Sequence, residues 1–262
     1  RNMNTIKNEG IELAIGSKII SINNWTWVVN TNTSVNKNKL IDSVLLSNGS
    51  VLTTGGGSVG FGSSVQGHKV NEPLNSFYVY KQLYDSNGKP IEGAYADLNS
   101  DGEINNLDRY LYKQSSPTLL IGISSILNYK NWEFSFGGRL SLGNYLYNYK
   151  NATSSYRSIN NTIDNKLYNA TKSVNDTQFE NTQMLSDFYV ENASFFKMDY
   201  LNLGYHLKDI FKSKINTYIS GAVQNAFTIT KYSGQDPESV AGMDRYSYPR
   251  PRIYSIGLKI NY

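Results

Sequence analysis

The stretch RIYSIGLKINY, residues 252–262, decides the fold, because apolar and polar side chains alternate along it without a break. Successive side chains of a β-strand point to opposite faces, so this segment has one apolar and one mostly polar face. Membrane β-barrels have such strands, and outer-membrane barrels typically end on one, although a soluble sandwich strand can alternate in the same way. We predict that the apolar face is an assembly signal, made of Tyr254, Ile256, Leu258, Ile260 and Tyr262.

A second segment repeats this alternation with a sharper contrast. Between residues 131 and 142, Trp132, Phe134 and Phe136 fall on one face, whereas Glu133 and Arg139 fall on the other. Such a strand suits a wall between lipid and water. Less regular runs occur elsewhere, and together they predict an all-β fold. We expect strands near residues 9–22, 24–38, 74–84, 117–129, 131–147, 195–207, 214–229 and 252–262.

The composition of the 262 residues permits a barrel and excludes several other classes. Tyr and Gly each account for 21 residues, which fits a barrel because only every second residue of its strands must be apolar. No stretch approaches the roughly 18 consecutive apolar residues of a membrane helix. Cysteine is absent, which excludes disulfides, thiol catalysis and cysteine-based metal sites. The net charge of +4 is spread thinly, so we expect no nucleic-acid partner.

Long polar connections separate the predicted strands. Residues 47–73, 150–185 and 230–250 are rich in Gly, Ser, Asn, Thr or Pro, and outer-membrane barrels carry long extracellular loops of this kind. The glycine-rich residues 55–62 lack the Lys-Ser/Thr ending of a phosphate loop, so we expect a flexible loop there. Four tyrosines near a strand end predict an aromatic girdle: Tyr145, Tyr147, Tyr149 and Tyr156.

Residues 97–108, DLNSDGEINNLD, form the most specific candidate ligand-binding motif in the chain. Gly102 stands at position 6 of this loop, where an oxygen-rich Ca²⁺ loop turns sharply. The predicted metal ligands are Asp97, Asn99, Asp101, Glu103 and Asp108. Asp108 departs from the more usual Glu at position 12, and Asn-Ser-Asp-Gly is also a strong turn sequence, so a metal-free polar turn stays open.

Catalytic motifs are not found. His68 and His206 stand in separate contexts with no partner at ligand spacing, and the sequence has no nucleophile elbow, phosphate loop or zinc helix. No nucleophile–base pair accompanies the acidic loop. We therefore predict that the protein is not an enzyme.

Several segments in the same order resemble the C-terminal third of the SusC/RagA-like TonB-linked outer-membrane transporters. The likeness covers nearly the whole chain, and its specificity comes from the number of matching segments. They are residues 8–13 (NEGIEL), 25–27 (WTW), 36–39 (NKNK), 93–97 (GAYAD) with 101–102 and 108–109, 189–198 (YVENASFFKM) with 203–205, 225–232 (NAFTITKY), and 234–238 with 248–252 (YPRPR).

The resemblance implies that residues 1–262 supply about the last eight strands of a roughly 22-stranded barrel with long extracellular loops. The barrel remainder, its plug domain and the TonB box would lie outside this sequence. The expected partners are that remainder, a SusD-like surface lipoprotein acting as a lid, TonB and outer-membrane lipid. The expected function is active import of large nutrients, oligosaccharides rather than peptides, across the outer membrane of a Gram-negative bacterium. Loop Tyr, Trp and Asn side chains would line the substrate cavity.

Two alternatives remain open from the residues alone. A self-contained small barrel acting as a porin or adhesin is possible, because eight strands can close. The visible start at Arg1 shows no signal peptide, which favours a longer polypeptide over that alternative. A soluble Ca²⁺-stabilised glycan-binding β-protein would explain the acidic loop and the tyrosines, but not the lipid-like terminal strand. Dependence on detergent separates the soluble alternative from both barrels.

Overall fold

Antiparallel β-structure dominates this computed structural model, which describes residues 4–46, 49–53, 57–60, 62–161, 166–210, 215–239, 241–245 and 248–261. In chain order the strands are β1 (Asn4–Ile22), β2 (Trp25–Ser43), β3 (Leu52–Thr53), β4 (Ser58–Gly60), β5 (Ser63–Ser64), β6 (Gln66–His68), β7 (Ser76–Tyr80), β8 (Gln82–Tyr84), β9 (Pro90–Tyr95), β10 (Arg109–Gln114), β11 (Leu119–Tyr129), β12 (Trp132–Leu142), β13 (Tyr145–Asn148), β14 (Asn160–Asn161), β15 (Lys166–Leu167), β16 (Val190–Asn192), β17 (Phe195–Ile210), β18 (Ile215–Thr230), β19 (Met243–Asp244) and β20 (Ile253–Asn261). The helices are α1 (Tyr149–Ala152), α2 (Tyr156–Ile159) and α3 (Ser173–Thr177), with 3₁₀ turns at Asn106–Asp108 and Asp187–Tyr189.

Seven long strands form one open sheet, which we call the wall sheet. Its order is β1-β2-β11-β12-β17-β18-β20, and every neighbouring pair is antiparallel. A tilted strand of about 9–11 residues crosses a bilayer, and even the shortest member, β20, has 9 residues. The all-β prediction is confirmed. Seven of the predicted strands form this sheet, and β1 and β20 are its two edges.

Strand register places the apolar residues of the wall sheet on one face. Tyr254, Ile256 and Leu258 of β20 lie opposite Val223, Gly221 and Ile219 of β18, and paired residues share a face. Ile256 is 90% exposed and Leu258 64%, so this face covers no protein core. The apolar alternation of the predicted assembly signal is confirmed for Tyr254, Ile256, Leu258 and Ile260, whereas Tyr262 lies outside the described residues. The signalling role itself stays a prediction.

Tight turns close one end of the wall sheet, which we call the turn end. Asn23 and Lys130 adopt left-handed backbone conformations in the two-residue connections of β1–β2 and β11–β12. Aromatic pairs cluster beside these turns on the apolar face. Trp25 stacks on Tyr129 with ring centroids 4.1 Å apart, and Trp132 meets Tyr205 edge-on at 4.7 Å. These positions have the arrangement of an aromatic girdle.

The girdle predicted from four other tyrosines is wrong. Tyr147 is fully buried, and its hydroxyl donates a 2.5 Å hydrogen bond to the Met184 carbonyl. Tyr149 and Tyr156 begin the short helices α1 and α2. A tyrosine near a strand end can face lipid or a protein core. Tyr145, Tyr147 and Tyr149 contact a hydrophobic core because the chain beyond β13 folds back on itself, whereas Tyr156 is 42% exposed at the start of α2.

The connections at the opposite end fold into a loop unit, defined as the described residues within 44–118, 143–194 and 231–252. It contains small sheets and its own hydrophobic core, built from Val59, Val65, Phe77, Val79, Tyr147, Ala152, Tyr189, Val190 and Met243. Burial of each large side chain contributes about 1.5–3 kcal/mol. The expected strand near residues 74–84 belongs here, as β7 and β8, and assigning it to the barrel wall was wrong. Phe77 and Val79 alternate as wall residues do, but they point into the core.

The glycine-rich segment lies inside the loop unit, so the expectation of a flexible loop is wrong for its described residues. Residues 54–56 and 61 lie outside the described residues. The Arg109 guanidinium donates to the Ser64 carbonyl and lies 4.1 Å from the Tyr78 ring centroid. Arg245 donates to the Ser58 carbonyl. Arg245 thus contacts the segment itself, and Arg109 contacts β5, which pairs with β4 of the segment. Among the described residues, no helix is long and apolar enough to cross a membrane.

Opposite faces of β20 should respond differently to a positive charge. We expect Ile256→Arg to destabilise the membrane-embedded receptor by about 2–4 kcal/mol, because the charge would enter lipid near the middle of the strand. Ser255→Arg, one residue away on the polar face, is the matched control and should have a much smaller effect. Unfolding in liposomes by urea measures both. Equal losses from the two variants would contradict the assignment of faces.

Candidate functional site

The polar face of the wall sheet borders a concave space of 950 Å³. Strands β1, β2, β11, β12 and β17 form its floor, and parts of the loop unit, including Asn144 and Glu238, form its rim. Ligand sites in proteins fall within about 300–1,000 Å³. The space is therefore large enough for an extended polar ligand or for a packed protein segment.

Asparagine side chains lie flat on the floor because glycines face them across the sheet. Asn30 pairs with Gly16 and Asn32 pairs with Gly122. A Cβ at Gly16 would lie 2.7 Å from Asn30 Oδ1, so a side chain there would displace the Asn30 amide from its present position. Gly137 makes the same room for the Tyr200 ring. The floor therefore presents amide groups and a phenol, where larger side chains would otherwise fill the space.

The expected contribution of tryptophan to this cavity is wrong. Trp25, Trp27 and Trp132 all lie on the apolar face of the wall sheet, near the turn end. The three tryptophans alternate with polar neighbours along their strands, and each pairs with an apolar or aromatic residue of the adjacent strand. This register places all three on the apolar face. Asn75 and Asn144 of the loop unit line the space, whereas Tyr200, the tyrosine that lines it, belongs to strand β17 and not to a loop.

One carboxylate at the rim of the concave space contacts three cationic side chains. Glu238 lies 2.6 Å from Lys197 Nζ, 2.8 Å from Arg139 Nη2 and 3.1 Å from Arg250 Nη1. Arg139 also contacts Asp199 at 3.2 Å, and Arg250 contacts Asp236 at 3.1 Å. The Lys197 side chain is 6% exposed and that of Glu238 11%, so this pair is screened little by solvent.

This cluster anchors residues 233–239 of the loop unit to the wall sheet. Arg139 comes from β12, Lys197 from β17 and Arg250 from the approach to β20, whereas Glu238 belongs to the connection between β18 and β20. Sequence analysis missed the cluster, because no spacing rule joins residues 139, 197, 238 and 250. The only signal was that Lys197, Glu238 and Arg250 all fall within segments of the family resemblance.

The acidic loop lies elsewhere in the loop unit, away from the concave space. The Asp97 carboxylate accepts hydrogen bonds from the backbone N–H of Ser100 at 2.6 Å and of Gly102 at 2.8 Å. Asp101 accepts from the Asn99 amide at 2.8 Å and from the Glu103 N–H at 2.9 Å. The first four predicted ligand positions thus lie in one compact turn, in which Glu103 takes part through its backbone N–H.

Asp108 closes the loop from its buried side. Hydrogen bonds from the backbone N–H of Asn105, and then of Leu98 and Asn99, hold the pKa of Asp108 below its ordinary value despite its burial. The Asp97 carboxyl group lies within hydrogen-bonding reach of Asp108 and also lowers that pKa. The loop therefore brings its first and last carboxyl groups together, as a coordinating loop would.

The described residues contain no group of three or more histidine or carboxylate side chains converging as metal ligands. Asp97 and Asp108 meet, whereas Asp101 is engaged with Asn99 and Glu103. Calcium binding stays a prediction, with Asp97, Asn99, Asp101 and Asp108 as side-chain oxygen donors and Glu103 offering its backbone carbonyl.

Known proteins resemble this chain along its whole length. TonB-dependent receptor SusC of Bacteroides thetaiotaomicron is 35% identical over 273 residues, covering 100% of this chain and 27% of that protein. TonB-dependent receptor P3 of Formosa agariphila is 28% identical, covering 100% of this chain and 29% of that protein. The structure of the RagAB peptide transporter aligns with a TM-score of 0.75 at 19% identity, covering 99% of this chain and 30% of that one. No protein-family model matches the chain. The chain thus spans less than a third of the length of these relatives.

Removing the charge of Glu238 should loosen residues 233–239. In Glu238→Gln, Lys197 loses a buried partner, and breaking such a pair costs about 3 kcal/mol. Hydrogen exchange of residues 233–239 in the intact receptor measures the change. Asp199→Asn is the control, because Asp199 contacts the half-exposed Arg139 at the edge of the cluster and should contribute about 0–1 kcal/mol. Unchanged exchange in Glu238→Gln would contradict the anchoring role.

We propose that Ca²⁺ binds the acidic loop, and chelation tests the proposal. EGTA should lower the thermal transition of the receptor, because a ligand at 100 times its Kd stabilises the folded state by about 2.7 kcal/mol. Asp97→Asn should lose this response. Asp85→Asn should keep it, since Asp85 only caps a neighbouring turn through the N–H groups of Asn87 and Lys89. A transition unmoved by EGTA, in protein without bound metal, would favour the polar turn.

Proposed function

This chain belongs to the SusC-like TonB-dependent receptors, and we propose that it forms the last strands of a roughly 22-stranded outer-membrane importer of large nutrients. The observation that carries the proposal is the two-faced wall sheet. Its apolar face is exposed along the full length of β20, and its polar face borders a concave space. Lipid on one side and a lumen on the other account for both faces.

The open edges of the wall sheet support a larger barrel over a self-contained one. β1 and β20 are the outer strands of the described sheet and do not pair with each other. An unpaired strand edge is not tolerated in lipid, because its backbone N–H and C=O groups have no partner there. Further strands of the same receptor would pair with both edges. The exposed apolar face argues against the soluble alternative.

The partners follow from the family and from the position of the loop unit. We propose that a SusD-like surface lipoprotein covers the loop unit, and that TonB acts through the N-terminal part of the receptor, next to the plug. The loop unit presents folded surface at the end opposite the tight turns, which is the extracellular end of such barrels. Outer-membrane lipid surrounds the apolar face.

Import, and not chemical conversion, is the proposed role. The relatives carry receptor and transporter names, and the proposed non-enzymatic role agrees with them. Amides, small residues and paired charges in the lining of the concave space suit transient contact with a polar substrate, and apolar side chains such as Leu120 and Leu146 complete that lining. We propose oligosaccharides as the substrate class, with peptides as the alternative, since the similar RagAB protein is a peptide transporter.

Energy dependence tests the proposal. Cells carrying the receptor should accumulate a labelled oligosaccharide in the periplasm, and cells lacking the receptor should not. Accumulation should also stop in cells lacking TonB, because active import depends on energy relayed from the inner membrane. Accumulation that needs the receptor but persists without TonB would favour a passive porin and contradict the proposal.

A further inference from the structure

The apolar face of the wall sheet ends in lysines on strands β1 and β2, at the end that carries the loop unit. Paired residues of these strands share that face, and toward the loop unit the pairs are Leu13 with Thr33, Ile11 with Val35, Glu9 with Lys37, and Lys7 with Lys39. We call Lys7, Lys37 and Lys39 the basic patch. It lies on the lipid-facing side, directly beyond the last apolar row.

Nearby carboxylates neutralise the basic patch only in part. Lys7 lies directly opposite Lys39, and like charges in that position destabilise a sheet. Glu9 forms an ion pair with Lys7, whereas Lys37 and Lys39 have no ion-pair partner in the part of the chain that the structure describes. Asp42 lies one row further out, so these rows carry three lysines against two carboxylates. An anion held between the lysines would remove the repulsion across the strands.

The position of the basic patch matches the boundary between hydrocarbon and water. The apolar face of β2 extends over residues 25–35, from the aromatic pair at the turn end to Val35, and a tilted strand of about 9–11 residues crosses a bilayer. Lys37 is the next residue on that face. Elsewhere in the wall sheet, the exposed Lys231 likewise follows Ile229, which is 63% exposed near the end of β18. Lipid headgroups are therefore the nearest source of anions for the patch.

A lipid with a phosphate-bearing headgroup fits both parts of this surface. The ammonium group of a lysine binds phosphate as a point charge, and its methylene stem packs along apolar surface. Ile11 is 77% exposed and Val35 41%, so the row next to the lysines offers apolar surface to acyl chains. A soluble anion would contact only the lysines, and a protein partner would have to enter the lipid-facing side to reach them.

We propose that the basic patch binds the phosphate group of an outer-membrane lipid, whose acyl chains pack on the apolar face beside Ile11 and Val35. Lys37 and Lys39 supply the unpaired positive charge, and Lys7, opposite Lys39, completes the patch. The bound phosphate stabilises β1 and β2 where these strands leave the hydrocarbon. The inference rests on the proposed function, which places the loop unit on the extracellular side, and adds a lipid site at that rim of the barrel.

Native mass spectrometry of the intact receptor in a neutral detergent tests the site, with lipid A as the probe because its phosphates can be removed. Diphosphorylated lipid A should bind in preference to the dephosphorylated form. In Lys37→Gln/Lys39→Gln the affinity for the diphosphorylated form should fall about 25-fold, since each lysine near an anionic surface contributes a factor of about five. Lys37→Arg/Lys39→Arg keeps both charges and should retain the affinity.

Lys18→Gln/Lys259→Gln is the matched control, because it removes two exposed lysines from the polar face of the same sheet. It should leave lipid affinity unchanged, and the thermal transition of each variant shows whether folding is intact. Full affinity in Lys37→Gln/Lys39→Gln, equal binding of the two lipid forms, or displacement of lipid A by an equal concentration of inorganic phosphate would overturn the lipid site. TonB-dependent accumulation is measured separately, so import that persists in that case leaves the proposed function standing.

Discussion

Hydrocarbon cannot satisfy a backbone hydrogen bond, and the rest of this structure depends on that constraint. A chain that meets lipid must pair every N–H and C=O internally, and its lipid-facing side chains must be apolar. The wall sheet meets both conditions along its interior strands, with paired backbones and an apolar face that stays exposed. Only the outer edges of β1 and β20 have backbone N–H and C=O groups without a partner strand in the described sheet. The same constraint therefore explains the two-residue alternation and the need for further strands.

The hydrophobic core lies outside the wall sheet for the same reason. A sheet that turns its apolar face to lipid and its polar face to a lumen has no side left for a core. The core forms in the loop unit, where Phe77, Val79 and Tyr147 are fully buried. Polar anchors then fix this unit to the wall, chiefly through Glu238 and Lys197. The concave space borders the anchored segment, so loop folding positions part of its rim.

Sequence patterns predicted the wall and failed in the loops, and the difference has a physical cause. Ile256 and Phe134 alternate with polar neighbours over long stretches, so their strands are visible locally. Val79 alternates in the same manner over five residues, and nothing local distinguishes a core from lipid. The glycine-rich segment resembled a flexible loop because its anchors, Arg109 and Arg245, come from distant positions. The Glu238 cluster is equally non-local, whereas the acidic loop could be proposed from the sequence because its candidate ligands all fall within residues 97–108.

The most direct test of the lipid-facing wall is the environment of each residue along β20. Single cysteines at positions 253–261 of the intact receptor, in its native membrane, can be labelled in parallel with lipid-soluble and water-soluble maleimides, once any cysteine elsewhere in the receptor is replaced; these 262 residues have none. The ratio of the two labels should alternate with a period of two, with lipid-soluble labelling favoured at residues 254, 256, 258 and 260. A ratio without that period, or one favouring residues 255, 257 and 259, would contradict the account.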